Sequence, residues 1–268
     1  MASYLITGAS KGLGLAMVKI LLEQSEENIF QVIATFRENS ADLEKLKQEN
    51  RSRLFVINMN VMEEESIRQA VAQVEEITGK GLDILINNAG IINYNTGGVA
   101  AMNDLVPTFC ANVNSVHLVT RAFLPLLRNG KEKKILNISS SMGSLTLAPQ
   151  YTYQPVPAYK ISKAALNMLT VQYALDEGKD GLIFLAVNPG WLQTDLGSTA
   201  ADLPVGTGAK GVLEVLHNAT SKDNGRFFNI TDLRRCIDGY THQTLFFSCC
   251  TELASGLKTL SASKVLDE

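Results

Sequence analysis

The sequence predicts a single α/β domain: a doubly wound parallel sheet of about seven strands with helices on both faces. Three observations lead there. Short, β-rich apolar runs alternate with longer amphipathic stretches over most of the chain. The runs are almost continuously hydrophobic, as strands covered on both faces must be. No Pro/Gly-rich linker divides the chain, and its 268 residues, 46% hydrophobic and 19% charged, suffice for one large core.

In order, YLIT is the first strand and GLAMVKILLEQ the helix after it. FQVIAT and SADLEKLKQEN form the second pair, RLFVIN and EEESIRQAVAQVEEIT the third. LDILIN and KKILNIS are the fourth and fifth strands. A helix around Tyr159, the strand GLIFLAVN, a helix around GAKGVLEVLHNA and the strand RFFNI complete the series. In such a sheet a ligand binds beyond the C-terminal ends of the strands, where the winding direction reverses. The candidate site therefore lies just after each apolar run.

TGASKGLGLA follows the first strand, with Gly8, Gly12 and Gly14. Glycines there permit a tight turn and bring backbone N–H groups close to a pyrophosphate at a helix N-terminus. The spacing is G-x-x-x-G-x-G rather than the G-x-G-x-x-G of many dinucleotide sites. Its place between the first strand and an apolar helix favours a Rossmann-type dinucleotide site over a plain strand-to-helix turn. The second strand ends in TFRENS. An acid near this point would bind the adenosine ribose hydroxyl of NAD, whereas an arginine suits the 2′-phosphate of NADP. Phe36 stands at the acid's place, Arg37 follows it, and Lys11 in the glycine loop offers a second cation to the same phosphate. Asn60 and Val61, after the third strand, suit an adenine. Asn87 to Gly90, after the fourth, bring backbone near the cofactor. Ser140 stands in a serine-rich turn after the fifth, and a Pro-Gly turn with a threonine follows the sixth.

AYKISKAAL places Tyr159 and Lys163 one helical turn apart, as neighbours on a helix face. That spacing recurs on every helix, so it carries meaning only beside the other features. A free tyrosine, with a pKa of about 10, is a poor base at neutral pH. A lysine ammonium and an oxidised nicotinamide beside it favour the phenolate and lower that value towards working pH.

Other chemistries find little support. A net charge of −3 without clustered Lys and Arg argues against nucleic acid, and KEKK at 131–134 reads as a solvated turn before a strand. No apolar run reaches the ~18 residues that span a bilayer. The opening MASYLITGAS lacks the features of a signal peptide, so Cys110, Cys236, Cys249 and Cys250 read as reduced thiols of a cytoplasmic protein. They have no metal-ligand spacing. His117, His217 and His242 read as packed or surface residues, and no metal is expected.

Taken in order, TGASKGLG, NNAG, ISSSMG, YKISK and NPGWLQT resemble the short-chain dehydrogenase/reductases, from residue 3 to about 230. AFLPLL, PGWLQTDLG and DNGRFFNI are similar to the sniffer-like, C-factor-type carbonyl reductases and related fungal ketoreductases. The resemblance implies strand order 3-2-1-4-5-6-7, bound NADP(H), and a catalytic tetrad. Tyr159 would be the acid/base, Lys163 its activator and ribose contact, and Ser140 the substrate-orienting hydroxyl. Asn112 would steady the active-site helix and a proton-relay water, with Asn114 a close competitor. Gly8, Ser10, Lys11, Gly12, Leu13, Arg37, Asn60, Val61, Asn87, Ala89, Pro189 and Thr194, with Tyr159 and Lys163, map onto cofactor contacts. The implied activity is NADPH-dependent reduction of a ketone or aldehyde, in a homodimer or homotetramer. The alternatives are an NAD-linked alcohol dehydrogenase of the same fold, acting on an alcohol substrate, and a catalytically silent nucleotide-binding regulatory protein.

The pattern departs from the family in two places. LTLAPQYTYQPVP, between Ser140 and Tyr159, is longer than usual. With IINYNTGGVA and WLQTDLGSTAADLPVG it borders the expected substrate pocket, where Tyr94, Tyr151, Tyr153 and Trp191 read either as an aromatic wall or as ordinary loop packing. The resemblance also stops after Ile230. This divides the chain into a catalytic domain, residues 1–230, and an extension, 231–268, compatible with a docked apolar helix, a poorly ordered tail, or a different reading of the gene's 3′ end.

Overall fold

A computed structural model of the chain describes residues 2–231, apart from 26, 39 and 199. The extension expected at 231–268 lies outside the described residues except for Thr231. Seven parallel strands form one sheet in the order β3-β2-β1-β4-β5-β6-β7. They are β1 (Ala2–Ile6), β2 (Ile29–Phe36), β3 (Leu54–Asn58), β4 (Ile84–Asn87), β5 (Lys134–Ile138), β6 (Ile183–Asn188) and β7 (Phe227–Asn229). The winding direction reverses between β1 and β4, which pair in parallel through Tyr4–Ile84, Leu5–Leu85 and Ile6–Ile86. A crevice opens there because the chain leaves the two strands towards opposite sides.

The helices between the strands are α1 (Gly12–Glu23), α2 (Ala41–Glu49), α3 (Glu64–Thr78), α4 (Leu105–Phe109), α5 (Ser115–Asn129), α6 (Pro157–Glu177) and α7 (Val205–Asn218). Their ends follow local chemistry. Ser40 caps α2 by accepting a hydrogen bond from the Leu43 amide at 3.2 Å. Gly79, left-handed at φ 65°, ends α3. Pro157 opens α6, where its missing N–H costs nothing.

Alternation along the strands divides the core. Leu5, Ile33, Leu85, Ile135 and Phe184 join Val74, Phe123, Leu127 and Ala174 from α3, α5 and α6 in one buried cluster. Tyr4, Ile6 and Val32 alternate with them and are equally buried, while α1 packs on α7. The KEKK expectation of a solvated turn holds at residues 131–133, where Lys131 and Glu132 are exposed, and needs correction at Lys134 alone. Lys134 belongs to β5 and is buried, its ammonium donating to the His217 carbonyl at 3.4 Å and pairing with Glu132 at 3.3 Å. Charge in the sequence marked a surface, but the stem of this lysine lies inside.

Among the described residues, no helix is long and apolar enough to cross a membrane. No group of three or more His, Cys, Asp or Glu among them is placed to hold a metal ion.

Candidate active site

The glycine loop runs from the end of β1 into α1 with Gly8 and Gly12 in the left-handed region, at φ 64° and 56°. At Gly8 and Gly14 a side chain has no room. A Cβ on Gly8 would stand 3.0 Å from the Ala89 Cα, and one on Gly14 would meet the Gly8 carbonyl at 2.6 Å. The loop is therefore bare backbone at a helix N-terminus, a cradle that fits the pyrophosphate of a dinucleotide. It is tied to the loop after β4. The Asn88 side-chain amide donates to the carbonyls of Thr7 and Gly8 at 2.8 and 3.0 Å, and the Asn88 and Ala89 amides both donate to the Thr7 hydroxyl at 3.0 Å.

Across the switch point, α6 presents Tyr159 and Lys163 against the turn after β5. Ser140 caps the short turn Ser141–Gly143, its hydroxyl accepting from the Met142 amide. A Cβ on Gly143 would lie 2.7 Å from the Lys163 carbonyl carbon, so only glycine lets this turn rest on α6. Tyr159, Lys163 and Ser140 are 8%, 5% and 6% exposed, yet all three line the same open cleft. They are buried by protein on every side but one.

The electrostatics differ from the expectation of a lowered tyrosine. Burial pushes the Tyr159 hydroxyl up to about 12, against a downward pull from the Ser140 hydrogen bond and an upward push from Tyr94. Lys163 is pushed down to about 8 by its own burial. Its ammonium donates to the Ile138 carbonyl at 2.8 Å and sits 5.4 Å from the centroid of the Tyr159 ring. In the protein alone, desolvation dominates the shift of each group.

Asn112 lies in a π-helical turn, Cys110–Asn114, between α4 and α5. The wider turn, a feature found often at functional sites, carries its wholly buried side chain inward. The Asn112 amide nitrogen donates to the Ile91 carbonyl at 2.9 Å and to the Ser162 hydroxyl at 3.0 Å, and its oxygen accepts from the Ile91 amide at 2.8 Å. It clamps the loop after β4 to α6. Asn114, its competitor in the sequence, ends the same turn.

The cations and the loop after β6 complete the wall. Arg37 pairs with Glu38 at 3.2 Å, and Lys11 pairs with Asp195 at 2.7 Å, all four side chains being largely exposed. The Asn60 side chain donates to Glu63 at 2.6 Å and accepts from the Met62 amide at 3.1 Å. Of the residues singled out in the sequence, Gly8, Ser10, Lys11, Gly12, Leu13, Arg37, Asn60, Val61, Ala89, Ser140, Tyr159, Lys163, Pro189 and Thr194 line one cleft of about 1260 Å³. So do Tyr94, Tyr151, Tyr153 and Trp191.

Asn87 and Asn112 do not line it. Asn87 follows Leu85 by two residues and so points to the same side of the sheet, where its amide donates to Thr120 and Asn137 at 3.1 and 2.9 Å. The next residue, Asn88, lines the cleft instead. Strand alternation was the signal that would have chosen it. Asp195 carried no such signal, because its partner Lys11 is 184 positions away.

The profile of the short chain dehydrogenase family matches residues 3–202. The NADPH-bound carbonyl reductase from chicken fatty liver superposes with a TM-score of 0.79 at 35% identity, over 86% of this chain and 97% of that one. Carbonyl reductase Sniffer of D. melanogaster does so at 0.77 and 29%, with the same coverage. The short-chain dehydrogenase/reductase AacuF of Aspergillus aculeatus is 34% identical over 200 residues, 71% of this chain and 74% of that one. With a glycine cradle, a buried Tyr159–Lys163–Ser140 group and a 200-residue family match on one sheet edge, the chain belongs to the short-chain dehydrogenases.

Proposed function

We propose that this oxidoreductase is an NADPH-dependent carbonyl reductase acting on a small-molecule ketone or aldehyde, with residues 1–230 as its catalytic domain. The observation that carries the reading is the convergence of Tyr159, Ser140 and Lys163, buried by protein but open to one cleft that also contains the glycine cradle. A silent nucleotide-binding protein needs the cradle but not a buried acid facing the same space.

The family binds a nicotinamide cofactor, and the residues present fit one. The glycine loop would take its pyrophosphate, Asn60 and Val61 would border the adenine, and Arg37 would meet a 2′-phosphate. When bound, the dinucleotide supplies hydride to the carbonyl carbon. Everything else falls to the side chains. Ser140 orients the carbonyl oxygen by a hydrogen bond, and Tyr159 donates its proton to that oxygen as negative charge develops. Held at about 12, Tyr159 is neutral at physiological pH, the form a reduction requires. Lys163 supplies positive charge beside the ring and a donor to the ribose. Asn112 acts at one remove, holding the Ile91 loop and α6 in register.

The second reading, NAD-linked alcohol oxidation, is favoured by one observation: each expected phosphate-binding cation is already paired with a carboxylate. A panel of ketones, quinones and aldehydes assayed with NADPH and with NADH separates the two. Arg37→Asp should lower the NADPH-to-NADH preference by about ten- to a hundredfold, the value of a charge-assisted contact. An unchanged ratio removes Arg37 from the phosphate site.

A further inference from the structure

The segment between Ser140 and Tyr159 is tied to the elements that carry both. It contains a short 3-10 turn, Ala148–Tyr151. The Tyr151 hydroxyl shares a 2.7 Å hydrogen bond with the Ser141 hydroxyl. The Tyr151 carbonyl accepts from the Lys160 ammonium at 2.6 Å and from the Gln154 amide at 3.2 Å. The Pro155 carbonyl accepts from the Asn95 amide at 2.7 Å, which joins the segment to the loop after β4. Ser141 follows Ser140 in the chain, and Lys160 follows Tyr159. Tyr151 is therefore bonded to the immediate neighbours of both groups that meet the carbonyl oxygen.

This distinguishes Tyr151 from the other tyrosines bordering the space. Tyr94 and Tyr153 are 56% and 66% exposed. Tyr151 is half-buried, its ring tilted 43° against that of Tyr153 with centroids 6.4 Å apart. Two hydroxyls carry two donor hydrogens, and the bond between Tyr151 and Ser141 uses one. Neither hydroxyl makes another hydrogen bond among the described residues. One hydrogen is thus left over at a wall of the cleft that both residues line. Water satisfies it while the cleft is open, and a ligand that displaces the water either replaces that bond or loses affinity.

We propose that the Ser141–Tyr151 hydroxyl pair is a second polar contact for the substrate, selecting ketones or aldehydes that carry another oxygen to accept its spare hydrogen. Consecutive residues stand about 3.8 Å apart at Cα, so that oxygen lies only a few bonds from the carbonyl held by Ser140 and Tyr159. The inference rests on the carbonyl-reductase reading above and adds a substrate class to it.

Ortho-, meta- and para-methoxyacetophenone test it against the ethylacetophenones in which a methylene replaces the ether oxygen. A methoxy oxygen only accepts, so it reads the spare hydrogen. The quantity measured is the preference, kcat/KM of each methoxy ketone over that of its ethyl counterpart, in the wild type and in Ser141→Ala/Tyr151→Phe. Comparing the two proteins cancels the electronic effect of methoxy on the ketone. At the ring position that reaches the pair, the double variant should lower the preference by about three- to tenfold, the scale of one hydrogen bond. The loss should fall mainly on KM. Each single variant should lower it less, since one hydroxyl remains to donate. A preference unchanged at every position, whether or not both ketones of a pair slow together, would overturn the proposal. Binding of the same ketones, followed by quenching of Trp191, the single tryptophan and a residue of the cleft wall, separates this result from failure of the reductase reading. A methoxy preference in binding that the double variant abolishes, without turnover, would support the pair and overturn the reductase. Neither turnover nor a preference in binding would overturn both.

Discussion

The two edges of the sheet hold similar groups and treat them in opposite ways. At the N-terminal edge, Asp83 accepts from the Ser3 amide and hydroxyl at 2.8 and 2.9 Å and from the Lys131 and Glu132 amides at 2.6 and 3.4 Å. Tyr4 bonds His217 at 3.0 Å, and Lys134 reaches the His217 carbonyl. At the C-terminal edge, Tyr159 and Lys163 are just as buried but line an open cleft. Burial raises the pKa of Tyr4 and Tyr159 alike. A shifted tyrosine therefore does not identify a site. The surrounding space does. Ser3 and Asp83 border a cavity of about 380 Å³ with the Asp83 carboxylate already taken up by hydrogen bonds. Tyr159 and Lys163 instead line the cleft of about 1260 Å³ that also holds the glycine loop.

Substitutions at the two edges should separate turnover from stability. The largest effect belongs to Tyr159→Phe, which should lower kcat for ketone reduction by about a thousandfold with dinucleotide affinity kept within about twofold. Turnover surviving the change would dissolve the distinction between the edges.

Asp83→Asn should do the reverse, leaving kcat intact while lowering unfolding free energy at neutral pH by about 1–3 kcal/mol. Its pH dependence has a definite sign. Burial pushes Asp83 up, but the hydrogen bonds from Ser3, Lys131 and Glu132 outweigh it and hold the carboxyl below its ordinary value. The stabilisation is thus complete above the unfolded value of about 4 and is lost as pH falls through the folded one. Denaturant melts of both proteins should show a gap that is constant near neutrality and narrows below about pH 4; a gap independent of pH would remove the carboxylate from the account. Smallest is Tyr4→Phe, which deletes the hydroxyl bonded to His217. About 1 kcal/mol of stability should go, with no change in kcat.

Much of this was legible because it is local. Gly8, Gly12 and Gly14 announce a turn that no side chain could occupy, and the Tyr159–Lys163 spacing fixes two groups on one helix face. Continuous apolar runs place β1, β4, β5 and β6 inside the sheet. Other features depend on partners far along the chain. Where the Asn87 side chain goes is one: strand register turns it towards Thr120 and Asn137. Lys134 looked like part of a solvated turn until β5 carried it beside His217.

By itself, then, the sequence determined the alternation of strands and helices, the bare glycine loop and the residues that converge beyond the strands, since each follows from spacing within one segment. Only the tertiary structure decided which asparagine side chain faces the cleft, that Lys11 meets Asp195, and that burial pushes the Tyr159 hydroxyl up rather than down. Those outcomes depend on burial and on contacts between distant segments, and neither exists until the sheet is assembled.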